Sequence, residues 1–267
     1  MHSNLYHSPV WPLIYPSNIT ANLHACLRSA SYLVAHQINS GLSYGVFDTQ
    51  YTFKRESSRA TDGALYFNAS EPSIQDSQGI DAESKRLLDQ MDFPLVSIAL
   101  SYDSFYPLDQ TQMVDLVACL PLFGTAYHEL AVRDAEARDA ASWQAEGPGE
   151  VLFRNATSTR REYEGEGIMA GLARWLIREV DGLGWRGVQI ETFNDAVFRV
   201  WSQPEKAVEG EGEGEGKKWK AVVASEFDAG TYVDGEGQKL FAPSKQHIAK
   251  VYVELKPKVS SASSAPA

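Results

Sequence analysis

The sequence predicts an α+β domain, and three observations carry that expectation. Val151–Thr159 reads as a strand that runs through Gly165 and Gly167 into an amphipathic helix, whose apolar positions Ile168, Leu172, Trp175, Leu176 and Val180 share one face, and then into a second strand, Gly187–Thr192. Strand, glycine turn, helix and strand within about 40 residues is the crossover length of a parallel pair. Trp219–Phe227 and His247–Leu255 are two further strands that can pair antiparallel across a turn-rich stretch containing Asp234-Gly235 and Pro243. Pro94–Tyr102 is a nearly continuous apolar run, the pattern of a central strand buried on both faces.

The remaining elements follow in order. Leu23, Leu27, Ala30, Leu33, Val34 and Ile38 recur at helical spacing, which predicts one amphipathic helix over Ile19–Ile38, with Pro16-Ser17-Asn18 as its start signal. Tyr44–Phe47, Tyr51–Phe53 and Ala64–Phe67 have β-type composition, the polar stretch Glu71–Gly79 reads as a surface loop, and Ala82–Met91 as helix. Thr111–Leu120 and Phe123–Val132 read as two helices separated by Pro121, followed by a polar connection over Ala135–Gly149. A short helix from Asn194 to Trp201 has Asn194 as its N-cap. Glu209–Gly216 alternates Glu and Gly and is expected to be a disordered loop, as is the tail 259–267. One domain over 1–258 is expected, with its motif-bearing core at about 94–256.

Composition narrows the function classes. A chain of 267 residues buries enough surface for a real core, and 43% hydrophobic with 22% charged residues is an ordinary globular balance. Lys and Arg total 24 against 35 Asp and Glu, a net charge of −11 that repels a phosphate backbone and favours a cationic small molecule over nucleic acid. Cys26 and Cys119 allow at most one bridge and offer no zinc spacing, so a reducing compartment and no metal site are expected. No run of 18 apolar residues and no basic-then-apolar leader is present, from which a cytoplasmic protein without membrane contact is expected. The oligomeric state is not legible in the sequence.

The chemistry-bearing segment is Thr157–Leu172, where a strand ends in two glycines at the mouth of a helix. Glycines there let the backbone approach a ligand, and the first helical N–H groups are unsatisfied donors suited to a pyrophosphate. No Gly-Lys-Ser/Thr follows, so it is not a Walker loop, and Gly165-x-Gly167 lacks the third glycine of the dinucleotide fingerprint. His128-Glu129 is not followed by a second His, and no Gly-x-Ser-x-Gly elbow occurs.

Tyr163-Glu-Gly-Glu-Gly-Ile-Met-Ala-Gly-Leu172, after a strand and before Gly184-x-x-Gly-Val-Gln-Ile-Glu-Thr192 and Asn194, resembles the acetyl-coenzyme A motif of GNAT N-acetyltransferases. The family's first motif position falls on Glu164, its central glycine on Gly167 and its last small residue on Met169; Glu164 and Met169 depart from the usual pattern. Val222–Tyr232, Phe241-Ala-Pro and His247–Val253 resemble the closing strands of the arylalkylamine-type branch, which also carries a helical insertion where Thr111–Val132 lies.

The resemblance implies a GNAT-like, mostly antiparallel central sheet with one splayed parallel pair and helices on both faces. It implies acetyl-CoA as cosubstrate, without a metal, contacted by Thr157, Ser158, Thr159, Glu164, Gly165, Glu166, Gly167, Ile168, Met169 and Asn194. It implies acetyl transfer to a small amine, with a CoA-binding protein lacking turnover as the alternative. Such transfer needs a base and an acid. Glu191 is the expected base, from its place beside the splay, with Glu226 acting through a water as the substitute; His36 lies near where that branch carries an acidic residue. Many GNAT enzymes place a Tyr where this chain has Trp201, so the acid is expected to be Tyr232, Tyr252 or solvent, with Tyr232 preferred.

Overall fold

β4 (Leu95–Asp103) is the buried strand that the apolar run predicts, and the sheet is built outward from it. The computed structural model describes residues 1–137, 143–204 and 219–256, the side chains of 135–137 excepted; the expected Glu/Gly loop and C-terminal tail lie outside the described residues. Before β4 come α1 (His2–His7), α2 (Trp11–Ile14), α3 (Ile19–Ser29), α4 (Ser31–Asn39), β1 (Tyr44–Phe47), α5 (Glu56–Arg59), β2 (Ala64–Leu65), α6 (Gln75–Gln78), α7 (Ile80–Asp89) and β3 (Met91–Asp92). After it come α8 (Gln110–Cys119), α9 (Pro121–Ala137), β5 (Val151–Thr159), α10 (Ile168–Gly182), β6 (Gly187–Thr192), α11 (Asp195–Ser202), β7 (Lys220–Asp228) and β8 (His247–Glu254).

Six strands form one sheet in the order β1-β4-β5-β6-β8-β7, and β2 and β3 form a separate antiparallel pair. Within the larger sheet only β5 and β6 run parallel, as their helical crossover requires. The architecture is thus the expected α+β one, mostly antiparallel with a single parallel pair.

Alternation along the strands assigns the two faces. Leu152, Val188, Ile190, Val251 and Val253 bury one face against Ala173, Leu176, Ile177 and Val180 of α10 and against Trp201 of α11. On the other face, Phe227 and Ile248 pack with Ala126 and Leu130 of α9. The N-terminal helices close a third cluster in which Leu5, Tyr6, Trp11, Ile19 and Leu23 meet Leu87.

Local chemistry explains where the elements depart from the periodicity. The helix expected over Ile19–Ile38 breaks at Ala30, because the Ser31 hydroxyl donates to the Arg28 carbonyl at 3.2 Å and so replaces a backbone partner. Tyr51–Phe53 forms no strand; the N–H groups of Lys54 and Arg55 just beyond it donate to the Asp92 carboxylate, each at 3.0 Å. Inside the expected loop 71–79 sits the short helix α6, whose Gln75 N–H is accepted by the Ser73 hydroxyl at 3.1 Å. Cys26 and Cys119 are free neighbours, and burial pushes the Cys26 thiol up to about 11.

Glu83 ties α7 to α3 without any solvent exposure. It accepts from the Thr20 hydroxyl at 2.7 Å, the Ile74 N–H at 3.2 Å, and Arg86 Nε and Nη2 at 2.8 Å each. The Arg86 bonds, chiefly, hold its carboxyl down at about 2. A depressed carboxyl stabilises the fold above its unfolded value, so this contribution is expected to be lost as pH falls from about 4.5 towards about 2. Glu83→Ala is expected to cost about 3 kcal/mol in urea unfolding at neutral pH, since it removes the acceptor of the Thr20 and Ile74 donors and the buried partner of Arg86, which then pairs with Glu71 alone among the described residues. A loss near zero would contradict the assignment.

Candidate active site

A bulge sets the position of the site. On β5, Arg154 faces Ser101 and Ala156 faces Leu100 in the β4 register, so Asn155 is an extra residue without a β4 partner. Bulges bend a strand and increase its twist. The β5–β6 ladder, Val151–Arg154 with Gly187–Ile190, ends at this point, while β5 continues to Thr159 and β6 to Thr192. The bulge is pinned from both sides. Gln37, fully buried, donates to Asn155 Oδ1 at 2.5 Å, and buried Arg154 donates to the Leu100 carbonyl at 2.8 Å, to the Ala156 carbonyl and to Thr157 Oγ1 at 2.5 Å.

The hydrogen-bond phase then decides which backbone groups face the opening. Arg160 N–H donates to the Val96 carbonyl at 2.9 Å, which makes that pair a hydrogen-bonded one. Alternation makes Thr157 opposite Ala99, and Thr159 opposite Ser97, non-hydrogen-bonded pairs, so their N–H and C=O groups point away from β4 and into the splay. One of these groups is taken, because Ser3 Oγ of α1 donates to the Thr159 carbonyl at 2.8 Å. The Ser158 carbonyl faces the other way and accepts from Ser97 Oγ at 3.1 Å.

Beyond β5, a short 3-10 turn at Arg161–Tyr163 leads to Gly165 and Gly167, with φ of +87° and +75°. Both need the left-handed region that glycine adopts freely, and a Cβ built on either meets nothing within 4 Å. Gly167 is the N-cap of α10 and brings no side-chain cap, so the N–H groups of Ile168, Met169 and Ala170 open the helix without intrahelical acceptors. The acids at this mouth are largely neutralised by neighbours. Arg161 pairs with Glu164 at 2.5 Å and Arg160 with Glu162 at 2.8 Å, while Glu166 is exposed. The cradle therefore fits a pyrophosphate, because space, donors and reduced repulsion coincide. Asn194 is held elsewhere, as its Oδ1 caps α11 by accepting from the Ala196 N–H at 2.8 Å.

Glu191 lies partly buried on the splayed part of β6, directly across from Lys250 of β8. It accepts from Gln189 Nε2 at 2.8 Å, and Lys250 Nζ reaches past it to buried Asp134 of α9 at 2.9 Å. Burial raises the Glu191 carboxyl above the ordinary range, although the Lys250 charge and the Gln189 bond pull it down. Tyr102 and Tyr127 also lie beside it, and burial chiefly, with the Glu191 charge second, raises both phenols. A carboxylate of raised basicity thus lies within electrostatic reach of two phenols whose ionisation is disfavoured.

Other expected participants lie away from Glu191. Glu226 is exposed on the edge strand β7, on the opposite face of the sheet from Glu191, and pairs with His247 at 2.8 Å. Tyr232 packs its ring against Phe227 and Phe241, and its hydroxyl adjoins Glu129, on a different side of α9 from Tyr127 and Asp134. Tyr252 is buried and stacks on Trp143, near Gly187 at the start of β6. Trp201 is fully buried in the α10–α11 core. His36 donates through Nε2 to the Tyr106 carbonyl and sets its ring edge against Tyr102. Sequence reading missed Tyr102, Tyr127, Lys250 and Asp134; the available signal was strand register, which would have put Lys250 opposite Glu191.

Among the described residues no group of three His, Cys, Asp or Glu side chains is arranged to hold a metal, and no helix is long and apolar enough to cross a membrane. No protein-family model matches the chain, and no curated protein matches its sequence. Solved structures align with it at low identity. It is similar to arylalkylamine N-acetyltransferase 2 from Aedes aegypti, at 13% identity over 61% of this chain and 69% of that one, with a TM-score of 0.41. It is similar to the C-terminal condensation domain of Ebony in complex with beta-alanyl-dopamine, at 14% identity over 78% of this chain and 100% of that one, TM-score 0.40. A polyamine N-acetyltransferase from Drosophila melanogaster aligns at 10% identity over 82% of this chain and 93% of that one, TM-score 0.35. The mostly antiparallel sheet and its single parallel pair, which parts after Arg154 and Ile190, match the sheet that the sequence resemblance implies.

Proposed function

We propose that this chain is an acetyl-CoA-dependent N-acetyltransferase that transfers the acetyl group directly to a small amine. The observation that carries the reading is the continuity of the splay with the glycine cradle: the Thr157 backbone groups and the Thr159 N–H, which face the splay, lead to open space at Gly165 and Gly167 and to uncapped helix N–H groups. An extended amide-bearing arm ending in a pyrophosphate suits that path, since strand-edge groups pair with amides and a helix N-terminus with phosphate.

The chain's own residues then have defined tasks. Glu191 takes a proton from the incoming ammonium at a carboxylate oxygen, and its raised basicity, imposed by burial, suits it to that step near neutral pH. The proton that the new amide gives up leaves with the thiol, so the overall reaction releases one proton to water. We assign the hydroxyl contacts to Tyr102 and Tyr127, which adjoin Glu191, in place of Tyr232, whose hydroxyl faces Glu129. As phenols held protonated they donate hydrogen bonds to the reacting carbonyl or sulfur rather than full protons. The free Cys26 and Cys119 fit a reducing, cytoplasmic setting.

A binder without turnover is the second reading, and the burial of Trp201 favours it, since an indole in the α10–α11 core stands where many enzymes of the resembled family carry a Tyr. Calorimetric titration with coenzyme A tests the shared premise. Saturable binding at one site per chain is expected, and no heat above dilution would remove both readings.

A further inference from the structure

A cavity of about 600 Å³ lies between α4 and the C-terminal end of β4, lined by Tyr32, His36, Tyr102, Asp103, Tyr106 and Trp185, among others. It is at the other end of the sheet from the glycine cradle. Asp103 is opposite Leu152 in the β4–β5 register whereas Ser97 is opposite Thr159, a separation of about 20 Å along β4 at the usual strand rise.

Its lining combines aromatic rings with a carboxylate held by backbone N–H groups. Asp103 is 8% exposed and accepts two backbone N–H bonds, from Phe105 at 3.0 Å and Gly149 at 2.7 Å. Among the described residues no Lys, Arg or His forms an ion pair with it. The His36 Nε2–H is committed to the Tyr106 carbonyl at 3.1 Å. Four electron-rich rings and a buried anion line one space in a chain of net charge −11, and that chemistry recognises a cation with an apolar body.

We propose that this cavity is a binding site for a small organic cation of the alkylammonium class, held over the Tyr32, Tyr102, Tyr106 and Trp185 rings in the field of Asp103. The site is separate from the cradle at Gly165 and Gly167 and shares one wall residue, Tyr102, with the surroundings of Glu191; cation binding there does not require that the chain transfer acetyl groups.

The test is calorimetric titration of the full chain with choline, which carries no amine N–H to acetylate, and with its neutral isostere 3,3-dimethylbutan-1-ol. Choline is expected to bind saturably and at least roughly tenfold more tightly than the isostere, as a ring-and-carboxylate site favours charge. Asp103→Asn is expected to weaken choline about tenfold or more. Tyr106→Leu, at a residue 55% exposed and so safe for the fold, is expected to weaken it severalfold. Gly167→Val is expected to leave choline binding unchanged. The protein is expected to stay in the supernatant with phosphatidylcholine vesicles, since the cavity admits a free cation. Equal affinity for choline and the isostere, no saturable binding of choline, wild-type choline affinity in both cavity variants, or co-sedimentation with vesicles would overturn the proposal.

Discussion

Glu191→Gln is expected to reduce kcat/KM for amine acetylation by roughly 10²–10⁴-fold at neutral pH, the usual cost of losing a positioned base. Gln preserves the size of the side chain and can still accept from Gln189, so packing against Lys250 and Tyr127 should survive and the melting temperature should barely move. The pH profile adds a second readout. Burial raises the Glu191 carboxyl, so the wild-type rate should climb with pH through that raised value as the carboxylate forms, and the variant should lose that limb. A steady-state profile over acidic to neutral pH checks both. A variant that retains wild-type kcat/KM and the same rising limb would remove Glu191 from the reaction.

Gly167→Val is expected to abolish coenzyme A binding in a folded protein. The position has φ of +75°, which a β-branched residue adopts only with strain, and its side chain would project into space that is open at present. Gly167→Asn separates the two effects, because Asn tolerates the left-handed region and still fills the space. Calorimetry should show lost or strongly weakened binding for both variants, with a near-native melting temperature for the Asn form. Unchanged affinity in the folded Asn form would mean that the pyrophosphate lies elsewhere.

The parts of the fold that were legible share one property, a pattern contained within a single segment. The period-2 run of β5, the amphipathic face of α10 and the Asn194 cap are local, and each element falls within a residue or two of its expected bounds. Elements that depend on a distant side chain were not legible. Tyr51–Phe53 has strand composition, but the Asp92 carboxylate, some forty residues on in sequence, takes the adjoining backbone N–H groups. The site divides in the same way. Gly165 and Gly167 announce themselves as a turn at a helix mouth, whereas the companions of Glu191 come from β4, α9 and β8 through tertiary packing. The Asn155 bulge, which opens the splay, depends on the register against β4 and leaves no mark in composition.

The most direct measurement is thiol release from acetyl-CoA, followed for wild type and Glu191→Gln side by side with arylalkylamines, polyamines and amino acids as acceptors. Wild type is expected to release thiol in an amine-dependent manner for at least one acceptor class, and the rate is expected to fall roughly 10²–10⁴-fold in the variant. Tight coenzyme A binding together with release no faster than the Glu191→Gln background for every amine would contradict this expectation and leave a CoA-binding protein without turnover.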